Sequence, residues 1–76
     1  MSTMSETVLI GKITGIDYDN AWVTVECENV PNHLRYHSLR IGEFNGRSLP
    51  FDKGRAVLLQ YVNFSTHALW CPIKVY

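Results

Sequence analysis

The sequence contains no long apolar run. Uninterrupted apolar stretches such as residues 56–59 are far shorter than the roughly 20 residues that a membrane-spanning helix needs. We therefore expect no membrane association. Residues 1–7 lack the basic start and the apolar stretch of a secretory signal. We expect them to be a flexible N-terminus on a cytoplasmic protein.

Cysteine and net charge are also scarce. Cys27 and Cys71 are the only cysteines, and in a reducing compartment two isolated thiols are more often packed apolar groups than a disulfide. They would pair only if the protein were exported. Seven acidic and seven basic residues cancel, although five of the acids precede His33 and six of the bases follow it. This split predicts either a basic face for nucleic acid or two faces that attract each other between copies.

No catalytic, metal or cofactor motif is recognisable. Asp17 and Asp19 fall in a turn sequence, where Asp bonds nearby backbone amides. His33 and His37 would lie about 13 Å apart on one strand, too far to hold one metal ion. The glycines are spread through turns and form no phosphate-binding loop. We expect a protein that is not an enzyme and binds no cofactor.

Strand patterns dominate what is present. Residues 8–17 and 21–28 alternate and are rich in β-branched residues, with a turn at Asp19 and Asn20 between them. This hairpin places Ile16 opposite Val23 and Thr14 opposite Val25. The inward positions are then Ala21, Val23, Val25 and Cys27. Ile13 is out of phase with Ile16, which predicts a bulge at Gly11 or Gly15.

The middle of the chain reads as a second hairpin. After a loop at residues 29–32, residues 34–44 form a predicted third strand, Asn45 and Gly46 a tight turn, and residues 47–51 the returning strand. A bulge at Gly42 is needed to bring the apolar residues of both strands to one side.

The last third predicts two more strands. A turn at residues 52–54 leads into residues 55–62, which are apolar on both faces, as in a central strand. A polar loop at residues 63–67 carries Phe64. Residues 68–76 follow as an edge strand, because Pro72 cannot donate a ladder hydrogen bond. Trp70, Pro72 and Lys74 would lie on its outer face.

These elements predict an all-β fold. Five or six short strands with tight turns and no helical stripe indicate a partly open β-barrel, OB-like or SH3-like, over residues 8–76. A chain of 76 residues buries a modest share of its surface. Self-association would add stability, so we expect a homo-oligomer.

The outward phase of both tryptophans indicates a contact surface, since large exposed rings usually have a role. Interleaved aromatic and basic residues between positions 35 and 47 extend it. The candidate ligand-binding residues are Trp22, Arg35, Tyr36, Arg40, Phe44, Arg47 and Trp70.

Three interpretations of this surface remain open. The rings could be structural, covering strand glycines or filling a closed barrel. Together with the basic side chains they could bind single-stranded DNA or RNA, by stacking on bases and pairing with phosphates. They could instead bind protein, either a second copy or another partner. We expect a non-enzymatic binding module, with single-stranded nucleic acid the favoured ligand and protein the alternative.

Overall fold

A computed structural model describes residues 8–63 and 65–76. Among these residues, five strands, β1 to β5, form one antiparallel sheet, with a short helix α1 and a 3-10 turn at Asn32–Leu34. The strands are Val8–Asp17, Trp22–Cys27, Tyr36–Arg40, Ala56–Asn63 and Ala68–Val75, and α1 is Ile41–Asn45. The predicted flexible N-terminus and Phe64 lie outside the described residues.

The spatial order of the strands is β3-β2-β1-β4-β5. The sheet is open, with β3 and β5 as its two edges, and it curls enough for rings on the two edges to touch: the His37 and Trp70 centroids lie 5.7 Å apart. The prediction of an all-β, partly open barrel without a substantial helix is confirmed.

The β1–β2 hairpin follows the alternating pattern. Val23, Val25 and Cys27 are buried, and Ile16 pairs with Val23, as predicted. A bulge between Ile13 and Gly15 restores the phase, so that Ile13, not Thr14, pairs with Val25. Ala21 is exposed instead of buried, because it turns the chain with a positive φ of 62°.

Residues 41–51 contradict the predicted second hairpin. Ile41 and Phe44 are three positions apart, so one helical turn brings both to the core, where Phe44 is fully buried. Gly42 lies inside α1, and Gly46 ends the helix with φ −63°, outside the range that an Asn-Gly hairpin turn requires. Ser48, with φ 57°, reverses the chain.

The last two strands take the predicted central and edge positions, but the faces of β5 do not alternate regularly. β4 is central between β1 and β5, and β5 is an edge. A register shift between Leu58 and Leu59 leaves Ile73 as an extra, exposed residue on β5, while Pro72 becomes buried. The predicted outward orientation is therefore wrong for Pro72. It is also wrong for Trp70, which packs partly against the core.

The core lies between the inner face of the curled sheet and α1. Its buried members are Ile13, Val23, Val25, Cys27, Leu39, Phe44, Val57 and Leu59. The Phe44 ring also contacts Phe51, with centroids 5.9 Å apart. The helix α1 contacts both edge strands, β3 and β5.

Candidate ligand-binding cleft

A cleft of about 470 Å³ lies where the two edge strands approach each other. We call it the seam cleft. Its β2–β3 wall comes from Trp22 and residues 36–40, its other wall from Tyr61 and residues 68–70, and Glu43 of α1 also lines it. It is the part of the barrel surface where exposed rings concentrate.

Trp22 and Arg40 form one end of the cleft. They are directly paired across β2 and β3, which places both side chains on the same outer face. The Arg40 guanidinium lies 5.3 Å from the centroid of the indole, a cation–π contact. Trp22 remains 38% exposed, so the indole still has surface available for a ligand.

Tyr36 lies on the same outer face, four residues before Arg40 and about 13 Å away along the strand. Its side chain is 63% exposed. Ser38 stands between them and also lines the cleft. The outer face of β3 therefore presents a ring, a hydroxyl and a guanidinium in one row.

A cluster of three rings joins the two walls of the cleft, with Tyr61 and Trp70 on one wall and His37 of β3 on the other. Trp70 packs against Tyr61 with centroids 5.2 Å apart and meets His37 edge-on. His37 Nε2 lies 2.7 Å from the Leu34 carbonyl oxygen, and since a carbonyl only accepts, Nε2 carries the proton. This bond orients the His37 ring, which packs edge-on against Trp70.

The structure brings four of the seven predicted site residues into the seam cleft: Trp22, Tyr36, Arg40 and Trp70. Phe44 is buried in the core and unavailable to a ligand. Arg35 reaches Glu26 at 3.8 Å, and Arg47 holds Glu43 at 2.6 Å on the exposed side of α1. These two arginines are partly neutralised by their acidic neighbours.

Tyr61 lines the cleft but is not among the site residues predicted from the sequence. It has the same phase as Val57 and Leu59, so it reads as another core position of β4. In the structure β4 extends beyond the core at this point, and Tyr61 is 42% exposed. The signal that was present is the change to polar residues around it, Gln60 and Asn63.

Both cysteines carry free, buried thiols. Burial raises the pKa of the Cys27 thiol, and it raises that of Cys71 as well, although the nearby Arg47 opposes the shift there. A raised pKa disfavours the reactive thiolate. Across residues 8–63 and 65–76, no three His, Cys, Asp or Glu side chains converge in a way that could hold a metal ion.

Within the described part of the chain, no helix has the length and apolar character needed to cross a bilayer. Comparison with known proteins gave no matching protein family, no matching curated protein and no matching solved structure.

Proposed function

We propose that the protein is a non-enzymatic binding module that holds single-stranded DNA or RNA in the seam cleft. The observation that carries this proposal is the Trp22–Arg40 pair beside the exposed ring of Tyr36. Unpaired bases stack on aromatic rings, and guanidinium groups pair with phosphates. A face with two rings about 13 Å apart has room for a short run of nucleotides between them.

The order of elements supports the same proposal. Three strands, a helix and two strands, with β1 between β2 and β4, is the arrangement expected of an OB-like barrel. Such barrels bind oligonucleotides on the face of strands 2 and 3, flanked by the loops between strands 1 and 2 and between strands 4 and 5. Here the cleft reaches from Trp22, just after the first of these loops, to Ala68, just after the second.

The charges in the cleft predict weak, sequence-tolerant binding. Arg40 lines the cleft and forms no ion pair with the residues that the structure describes, whereas Arg35 and Arg47 face Glu26 and Glu43. With about one or two phosphates neutralised, the logarithm of the binding constant should fall with the logarithm of salt concentration with a slope of only about −0.7 to −1.5. Most of the affinity would then come from stacking.

A titration of tryptophan fluorescence with a mixed-sequence oligonucleotide tests the proposal. Stacking on Trp22 should quench the emission at about 50 mM salt, where phosphate contacts are strong. Arg40→Gln should weaken binding about tenfold, roughly the loss of one charge-assisted contact, and should lower the salt slope by about 0.7.

The control is Lys53→Gln, which removes an exposed cation from the turn before β4, away from the cleft. It should leave both the affinity and the salt slope unchanged. Absence of quenching at low salt would contradict the proposal, and so would an equal effect of the two substitutions.

A second candidate function is the binding of an extended peptide. β3 and β5 are sheet edges whose outward backbone groups have no ladder partner among the described residues, and a peptide can add to such an edge as an extra strand. Peptides selected on the intact chain should protect alternate amides of β3 or β5 from hydrogen exchange. Protection confined to other strands would rule this candidate out.

We also propose a cytoplasmic location. The two thiols are separately buried and unpaired, which suits a reducing compartment.

A further inference from the structure

The outer face of β1, β4 and β5 carries apolar residues that take no part in the core. Ile10 is 55% exposed, and Val8 and Ile73 are each 39% exposed. Leu58 is partly buried but does not pack against the core cluster. This face is on the other side of the barrel wall from the buried residues, and the seam cleft opens elsewhere, between β3 and β5.

The register places four side chains of this face in one row. Ile10 pairs with Leu58, and Leu58 pairs with Lys74. On the other side, Cys27 pairs with Gly11, so Glu28 comes level with Ile10 just beyond the end of β2. The row therefore runs from an acid through two aliphatic residues to a base.

Such a row is complementary to itself under one particular symmetry. In this symmetry the outer faces of two copies lie against each other, and a two-fold axis runs between them, parallel to the strands and midway between β1 and β4. β1 of one copy then lies over β4 of the other, and β2 lies over β5. Ile10 of each copy then meets Leu58 of the other, and Glu28 meets Lys74. A two-fold axis perpendicular to the strands would instead place Glu28 against Glu28.

We propose that two copies of this chain form a symmetric dimer through this outer face. Isologous contacts of this kind are the most common in homo-oligomers, and facing sheets pack with their strands within about 30° of each other. Charge pairs at the rim would fix the register around an apolar centre. The proposal does not depend on what the seam cleft binds.

A trough in the surface of one copy would receive Lys74, the basic end of the row, from the second copy. It has a volume of about 420 Å³, has Ile10 and Ala56 in its lining, and also contacts Lys12, Glu26 and Glu28. Neither Glu28 nor Lys74 forms an ion pair within the described part of the chain, and the Lys74 ammonium lies 5.0 Å from the centroid of the Tyr76 ring. Lys74 of the second copy would reach Glu28 at this trough.

Sedimentation equilibrium of the intact chain, over a range of concentrations, tests the dimer. The wild type should dimerise, and Ile10→Glu should weaken the association at least about a hundredfold, since it places a charge against Leu58 of the second copy. Glu28→Lys and Lys74→Glu should each weaken it about threefold to tenfold at low salt, the range of a rim ion pair.

The decisive variant combines Glu28→Lys with Lys74→Glu. It reverses both ends of the row and should return the dimerisation constant to within about threefold of the wild type, because the pairs are restored with opposite sign. Lys53→Glu, remote from this face, is the control and should have no effect. Circular dichroism of each variant checks that the fold is retained.

A wild type that stays monomeric at every concentration would overturn the proposal. So would a dimer that Ile10→Glu leaves intact, since that dimer would use another surface. Failure of the double reversal to restore association would overturn the proposed two-fold arrangement of the row.

Discussion

Gly11 lies at a crowded position of the sheet, where β2 side chains approach the backbone of β1. A Cβ at this position would come within 2.5 Å of Val25 Cγ1 and 2.9 Å of Cys27 Sγ, two buried residues of the neighbouring strand. The side chains of β2 pack directly over the Gly11 backbone because no side chain is present. Glycine is required here for close approach and not for its backbone freedom.

Gly11→Ala should therefore destabilise the fold by about 1–3 kcal/mol, the usual cost of overpacking a core. Gly15 provides a matched control on the same strand, because its nearest neighbour to an added Cβ is Thr24 Cβ at 3.9 Å, an ordinary contact. Gly15→Ala should change the free energy of unfolding by less than about 0.5 kcal/mol. Urea denaturation measures both, and equal effects would contradict this account of the core.

Asp17 closes the β1–β2 turn by accepting two hydrogen bonds from Asn20. The Asn20 side-chain amide lies 2.9 Å from Oδ2, and its backbone N–H donates to Oδ1 at 3.1 Å. The side-chain hydrogen bond, followed by the backbone one, lowers the pKa of Asp17 below its ordinary value. Both bonds favour the charged carboxylate.

The sign of the pH dependence follows from this direction. The folded pKa is below the unfolded one, so the contribution of Asp17 to stability is present above the unfolded pKa and is lost as the pH falls through the folded value. Asn20→Ala should raise the pKa of Asp17 in a carboxyl NMR titration, while Asn45→Ala, in α1, should not. An unchanged pKa in Asn20→Ala would contradict the assignment of the shift to Asn20.

Among the elements, the β1–β2 hairpin has an unfavourable residue in its turn. Ala21 has a φ of 62° and Asn29, after β2, has the same φ. A left-handed conformation costs an ordinary residue about 1–2 kcal/mol, whereas Asn tolerates it. The hairpin therefore forms in spite of Ala21, through the ladder between β1 and β2 and the Asp17–Asn20 bonds.

Ala21→Gly should stabilise the protein by about 0.5–1 kcal/mol, the relief of strain less the extra entropy of an unfolded glycine. The matched change, Asn29→Gly, should have a smaller effect, because Asn already tolerates this conformation. Thermal or urea unfolding of the two variants makes the comparison. A destabilised Ala21→Gly would show that the turn is not strained at this residue.

The elements also show how far the sequence can be interpreted. Strand alternation correctly predicts the faces of β2, because one face of that strand packs on the core. The central position of β4 follows from its apolar residues on both faces, and the edge position of β5 follows from Pro72. It fails at residues 41–51, where a five-residue helix is too short to show a periodic stripe and is held by tertiary contacts of Ile41 and Phe44. The Asn45–Gly46 turn signal is local, and the burial of Phe44 overrides it.

The candidate site is predictable to a similar extent. Trp22, Tyr36 and Arg40 lie on outward positions of regular strands, so alternation places them on one surface. Trp70 and Tyr61 are joined to that surface by the curl of the sheet and by a bulge in β5. The curl of the sheet and its bulges depend on packing across the whole barrel, so they cannot be predicted from a short stretch of sequence.

At the scale of the whole molecule, two separate surfaces are assigned different roles. The seam cleft lies between β3 and β5, and the proposed dimer face lies on the outer side of β1, β4 and β5. Because the two share no residue, Ile10→Glu should abolish dimerisation while leaving the affinity for a short oligonucleotide within about twofold of the wild type. A parallel loss of both activities in a folded variant would contradict this separation.

The most direct test of the central claim is two-dimensional NMR of the isotope-labelled chain titrated with a short mixed-sequence oligonucleotide. The two indole N–H signals, from Trp22 and Trp70, report on the two walls of the seam cleft. Binding in the cleft predicts that both signals shift together with the amides of β3, while the amides of Ile10 and Ile73 remain in place. Indole signals that stay unchanged through the titration would contradict the account.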